Sequence, residues 1–253
     1  MTLRALSLRL EGPMQSWGGP VAGNDRPTRD EPTKSGVLGL VAGALGHGRD
    51  ELEALARLHE QFALVVRVDR RGRPGRDFHT AEGVPTVEGK VRGAPVVSRR
   101  GYLYDASFAA LLVERSRPPG APTPERVLEA LRLPRYAPYL GRKACPPSRP
   151  VWDAARVLEG ADVFALLRQV PEAEPLPGGR RAARGEVHVE ASLCPGAHAP
   201  SYRVRDALRP PLPRLFFERA VLRFSFTDDM APPRPGPPAP GDTIDRFFGA
   251  EGP

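Results

Sequence analysis

The order of patterned segments constrains this chain more than any single motif. LRALSLRL sets Leu6, Leu8 and Leu10 against Ser7 and Arg9, the two-residue period of a strand with one buried face. After a Gly/Pro loop, EGPMQSWGGP, the stretch TKSGVLGLVAGALG repeats its apolar residues at helical spacing (Val37, Leu40, Val41, Ala44, Leu45), with Thr33 placed as N-cap. DELEALARLHE reads as a second helix in which Asp50 and Glu53 are spaced for a capping box. QFALVVRV is a strand, and from Asp69 to Arg100 the chain turns Gly-, Pro- and Arg-rich, an excursion rather than core. GYLYDASFAALLVE returns to strand character, and TPERVLEAL opens a helix on Thr-Pro. A further helix near Asp162–Arg168, a linker PEAEPLPGGRRAARG and strands in GEVHVEA, SYRVRD and RLFFERAVLRFSF follow. Strand, helix, helix, strand, excursion, strand, helix is the order of an α+β, ferredoxin-like or RRM-like core carrying an insertion. The domain spans residues 1–229, and the proline-rich segment 230–253 reads as an extended, mobile tail.

The charge is unevenly placed. Residues 1–60 carry seven basic and eight acidic side chains, and residues 158–253 carry twelve and thirteen. Residues 61–157 carry eighteen against nine, so the net +7 arises in mid-chain. Such a concentrated field suits an anionic partner. The longest apolar run, VLGLVAGALG, is too short and glycine-rich to span a bilayer. MTLRALSLRL lacks the apolar core and small-residue cleavage site of a secretory signal. Two distant cysteines give neither a metal spacing nor a disulfide framework. A cytoplasmic protein without membrane contact is expected.

No phosphate loop, dinucleotide fingerprint, HExxH or CxxC is present, so no metal, cofactor or catalytic residue is assigned. Cys145, in PRYAPYLGRKACPP, has neither a helix N-terminus nor an imidazole signalled beside it and reads as a small buried hydrophobe. The same segment offers Gly141, which would let a phosphate reach the backbone, next to the cations Arg142 and Lys143. Trp17, Tyr136 and Tyr139 are rings available either to stack on RNA bases or to fill the core. Lys90, Arg92, Arg99 and Arg100 form a second basic group on the excursion. Gly36, Gly39 and Gly43 share one side of the first helix, where a sheet packed behind it or an RNA backbone must come close. His79 in RDFHT stands at the edge of the excursion, where it could serve as a general base or as a hydrogen-bond donor.

Taken together, LRLEGPMQSWG, RPTRDEPTKSGVLGLVAGALG, RDFHT, YLYDASF and PRYAPYLGRKACP resemble, in order and spacing, the CasD family of type I-E CRISPR Cascade subunits over residues 3–226. That resemblance implies a modified ferredoxin-like (RAMP) core with a thumb hairpin, here at about residues 80–100. It also implies binding of the 5′ handle of a CRISPR RNA, a capping position in Cascade, and contacts with the backbone filament and the PAM-recognising large subunit. Target DNA would be met only through the complex, and the subunit would not be an enzyme. By position, the resemblance makes RNA-contact candidates of Gln15, Trp17, Lys34, Ser35, Gly36, Arg100, Arg142 and Lys143. The thumb sequence AEGVPTVEGKVRGAPVVSRRG departs from the family in detail. The competing reading is a metal-independent endoribonuclease acting on precursor RNA, with His79 and a tyrosine or lysine as acid and base.

Overall fold

The alternation that marks the first strand builds two cores, because the sheet it joins is covered on both faces. In the computed structural model, residues 2–226 are described apart from residues 20, 22, 92, 175–184, 196, 198, 199 and 209–215. β1 (Leu3–Glu11) is followed by the short β2 (Met14–Gln15) and β3 (Asp25–Arg26), then α1 (Lys34–Leu45), α2 (Leu52–Gln61) and β4 (Phe62–Arg70). β5 (Arg73–Ala81) and β6 (Val96–Tyr104) form a hairpin before β7 (Ser107–Glu114), α3 (Pro124–Arg132), β8 (Arg156–Gly160) and α4 (Val163–Arg168). β9 (Glu186–Glu190), β10 (Tyr202–Leu208) and β11 (Phe216–Ser225) complete the described chain.

The main sheet runs β10-β11-β9-β4-β7-β1-β8 with every neighbour antiparallel. Its segment β8-β1-β7-β4 places the fourth, first, third and second core strands side by side, which is the ferredoxin-like order expected from the sequence. Leu6, Leu8 and Leu10 of β1, with Leu64, Val66 and Leu112, pack beneath α1, α2 and α3. Ala5, Val65, Leu111 and Val113 point the other way, under Phe164, Leu166 and Leu167 of α4. Each fully buried Leu, Val or Phe among these contributes about 1.5–3 kcal/mol. On that second face Arg9 and Arg67 share buried Asp69, and Arg67 donates to the carbonyls of Leu167 (3.0 Å) and Val170 (3.0 Å). The C-terminal end of α4 thereby satisfies cations that apolar packing could not.

Helix starts follow their caps. The hydroxyl oxygens of Thr33 and Thr123 accept from the amides of Gly36 and Arg126, and Asp162 accepts from Phe164 and Ala165. The Asp50–Glu53 capping box does not form. Glu51 occupies the N-cap of α2, its carboxylate accepts from the Gly48 amide and meets His47, and Glu53 pairs with Arg57 instead. GYLYDASFAALLVE, read as strand, is divided between β6 and β7. Asp105, at φ 58°, turns the chain between β6 and β7, and its carbonyl accepts from Arg70 Nε at 2.7 Å. The hairpin is therefore longer than residues 80–100: RDFHT and RRGYLY lie on its two arms, and the described residues between 82 and 95 form its tip. β2 and β3 pair with the thumb strand β6, anchoring the hairpin to the loop after β1. Most of the linker near residue 178 and the tail 230–253 lie outside the described residues.

Candidate nucleic-acid interface

A cleft of ≈ 1550 Å³ opens along α1. Its floor is the glycine side of that helix. One wall is the loop from Tyr136 to Lys143 with Ser16–Gly19, and the other comprises Leu52, Leu55 and His59 of α2, Val204–Asp206 and Leu208 of β10, and Phe216. The sheet packs on the opposite side of α1, through Val37 and Val41, so the glycines face the opening and not a sheet. A Cβ on Gly39 would meet nothing within 4 Å, and one on Gly43 would come no closer than 3.9 Å to Tyr136.

Several residues singled out from sequence shape this cleft from below. Gln15 and Trp17 are almost fully buried, although Trp17 contributes to the lining of the cleft. Gln15 Nε2 donates to the carbonyls of Leu10 (3.2 Å) and Ala106 (2.8 Å), and its Oε1 accepts from Trp17 Nε1 at 2.9 Å. The indole lies against Gly36, where a Cβ would come 2.9 Å from the ring. These two side chains tie the loop after β1 to the start of α1.

Lys34 likewise turns inward. It is 2 % exposed, and Nζ donates to Glu190 Oε2 at 3.2 Å. Burial lowers its pKa from 10.5 to about 8, with the Glu190 carboxylate opposing the shift. The helix start is already capped by the protein: the Lys34 amide donates to Asp206 Oδ2 (2.7 Å), and Arg219 holds that carboxylate through two bonds. Asp206 thus occupies the place that a phosphate would take at this helix end. Ser35 and Gly36 line the cleft beside it.

In the loop, Gly141 adopts φ +85° because the Ser16 carbonyl lies where its Cβ would be, at 1.7 Å. The space freed by this glycine is filled by protein backbone, not by phosphate. Arg142 is a clamp: it donates to the carbonyls of Gly101 (3.1 Å) and Arg26 (2.8 Å) and lies 4.9 Å over the Tyr102 ring. Lys143 is exposed and lines the cleft, as do Tyr136 and the partly buried Tyr139. Cys145 is fully buried, and burial raises its thiol pKa, in keeping with an inert packing role.

On the thumb, Lys90 and Arg99 are exposed, Arg99 lies over the Phe78 ring (5.9 Å), and Arg100 bonds Ser98. Arg92 lies outside the described residues. Among the described thumb residues, Lys90, Arg99 and Arg100 do not line the cleft. His79 Nε2 is 3.3 Å from the Tyr102 hydroxyl and 3.1 Å from Asp77. Among the described residues, no cluster of three or more His, Cys, Asp or Glu could hold a metal ion, and no helix is long and apolar enough to cross a membrane.

Sequence reading missed Arg29, Arg205, His59 and Phe216, all of which line the cleft. Arg205 has a faint signal, since SYRVRD alternates and assigns it to the face opposite Val204. His59 has none; its wall is assembled from α2 and a strand nearly 150 positions away, as its Nδ1 contact to the Leu208 amide shows.

These features define a class first: an α+β protein of ferredoxin-like topology with a hairpin between the second and third core strands and a cation-lined cleft along its first helix. Residues 5–224 match the model of the family described as "CRISPR-associated protein (Cas_Cas5)", and the chain belongs to that family. It is 34% identical over 224 residues to the Escherichia coli (strain K12) "CRISPR system Cascade subunit CasD", covering 85% of this chain and 92% of that protein. Two solved structures are similar. One is a chain of a "CRISPR RNA-guided surveillance complex", with TM-score 0.65, 31% identity, and coverage of 87% of this chain and 89% of that one. The other, described as "Crystal structure of Cas protein", has TM-score 0.54 and 28% identity, covering 90% of this chain and 100% of that one.

Proposed function

We propose that this chain is a non-catalytic, RNA-binding subunit of a Cascade-type CRISPR surveillance complex. It holds the repeat-derived 5′ handle of the CRISPR RNA, caps one end of the assembly, and meets the backbone and large subunits. The observation that carries this reading is the cleft along α1, which gathers Lys143, Arg205 and two tyrosines in one groove. Cations along a groove with aromatic rings are the combination that single-stranded RNA requires. Family membership and the similarity to the E. coli Cascade subunit support the same assignment.

The test is binding of the full chain to a single-stranded RNA carrying the repeat-derived 5′ end, measured by fluorescence anisotropy from low to high salt. A steep fall of affinity with salt is expected; absence of binding, alone and in the assembled complex, removes the reading. The nuclease alternative has one observation in its favour, the Tyr102 hydroxyl within reach of His79. Against it, Tyr102 is 3 % exposed beneath Arg142, and Asp77 competes for the same imidazole nitrogen. Incubating labelled precursor RNA with the protein in EDTA separates the two. Cleavage that disappears in His79→Ala would establish the nuclease.

A further inference from the structure

Beyond the capture of an RNA strand, the cleft has features that phosphate binding does not need. A helix that carries Gly36, Gly39 and Gly43 gives up stability. At Gly36 the reason is internal, since the indole of Trp17 fills the space, but Gly39 faces nothing within 4 Å. The bare backbone there is open to the cleft. Tyr136, 52% exposed, stands at its far end, with its amide donating to the Gly43 carbonyl. Phe216, 40% exposed, lies in the opposite wall.

A second observation is independent of the glycines. His59 lines the cleft and is 6% exposed. Its Nδ1 accepts the Leu208 amide at 3.1 Å, so the neutral ring carries its proton on Nε2. Among the described residues that Nε2 has no hydrogen-bond partner. Burial, reinforced by the charges of Lys34, Arg219 and Arg115, keeps the ring neutral by lowering its pKa to about 3. The site therefore offers one fixed, uncharged N–H donor, a group suited to an acceptor on a base edge and of little use to a phosphate in a protein rich in arginine.

We propose that the cleft receives an unpaired nucleobase of the bound RNA, laid on the backbone of α1 at Gly39 beside the Tyr136 ring, with His59 Nε2–H donating to the base edge. This rests on the RNA-binding reading above and adds where a base goes and what reads it. The cleft exceeds the roughly 300–1,000 Å³ typical of sites for single small molecules, which suits a segment of a polymer.

The experiment uses the full chain and the same single-stranded RNA, with 2-aminopurine or an abasic nucleotide placed at each handle position in turn. One or two positions should show quenched fluorescence on binding and about a tenfold loss when abasic, the loss of one stacked base. Gly39→Leu fills the floor without meeting protein atoms at its Cβ. It should weaken binding about tenfold with no fall in thermal midpoint and an unchanged salt slope, and it should erase the abasic effect at that position. Tyr136→Phe should retain affinity and Tyr136→Ala should lose it. His59→Asn, which keeps an acceptor for the Leu208 amide but withdraws the donor, should weaken the same RNA and spare the abasic one. RNA binding that is indifferent to Gly39→Leu, or abasic losses spread evenly along the handle, would overturn the base pocket and leave RNA binding standing. Failure of the unmodified protein to bind RNA would overturn both.

Discussion

The loop Pro134–Pro147 and the thumb hairpin both look basic in sequence, yet they use their cations differently. In the loop, Arg142 is spent on two backbone carbonyls and an aromatic ring, Gly141 is locked against Ser16, and Lys143 alone is left to face the cleft. The thumb keeps Lys90 and Arg99 in solvent, and Phe78, Val87, Val91 and Val97 are exposed with them. The loop and the base of the thumb are built by contacts within this chain, whereas the thumb tip around Val87 and Val91 has few to lose. Local charge counts therefore mark where an anion is met, but only packing shows which arginines are already engaged.

The sharpest way to break this comparison is to substitute glycine in each region. Gly141→Ala must expel the Ser16 carbonyl and adopt a left-handed φ, and should cost about 3 kcal/mol or more in urea unfolding. Gly93→Ala, at a thumb position with nothing within 4 Å, should stay within about 0.5 kcal/mol. Next, Arg142→Ala should destabilise by about 2 kcal/mol through lost charge-assisted hydrogen bonds, whereas Arg99→Ala should change stability by less than about 0.5 kcal/mol. Equal effects would mean the loop is no more committed than the thumb.

The cleft wall carries a pH signature. His59 has its pKa lowered from 6.5 to about 3, so the unfolded chain binds the extra proton between those values. Stability is therefore full above about pH 6.5 and falls as pH drops toward 3, by roughly 1–2 kcal/mol at pH 5. His59→Asn should flatten that arm in denaturant titrations at several pH values, and an unchanged slope would reassign the acid sensitivity. The smallest effect concerns RNA: Lys143→Ala should lower the salt slope of binding by about one, and Lys90→Ala by less. The reverse order would move the main phosphate contact from loop to thumb.

Much of the scaffold is legible in the sequence. Thr33, Thr123 and Asp162 cap helices because a short oxygen-bearing side chain precedes each apolar run, a relation confined to three or four residues. Alternation in LRALSLRL and the order of segments led to the ferredoxin-like sheet for the same local reason. Local patterns say least where neighbours compete or distant parts meet. Asp50 lost the N-cap of α2 to Glu51, whose carboxylate reaches Gly48 and His47. Gln15, Trp17 and Lys34 sit in the right segments but point inward, toward Ala106, Gly36 and Glu190.

Sequence alone determined the element types, their order, the mid-chain basic field and the motifs that mark the family, because each depends on nearby residues and their periodicity. Tertiary structure alone decided which side of α1 would stay uncovered. The cleft exists because the loop after α3 and strand β10 stop short of Gly39 on either side, and no local pattern encodes where two remote segments end. It likewise decided that Asp206 would cap the helix end otherwise suited to a phosphate, and that Arg142 would brace the thumb while its neighbour Lys143 faced the opening. A side chain's chemistry is set by its own atoms, but whether it is available is set by which remote groups fold against it.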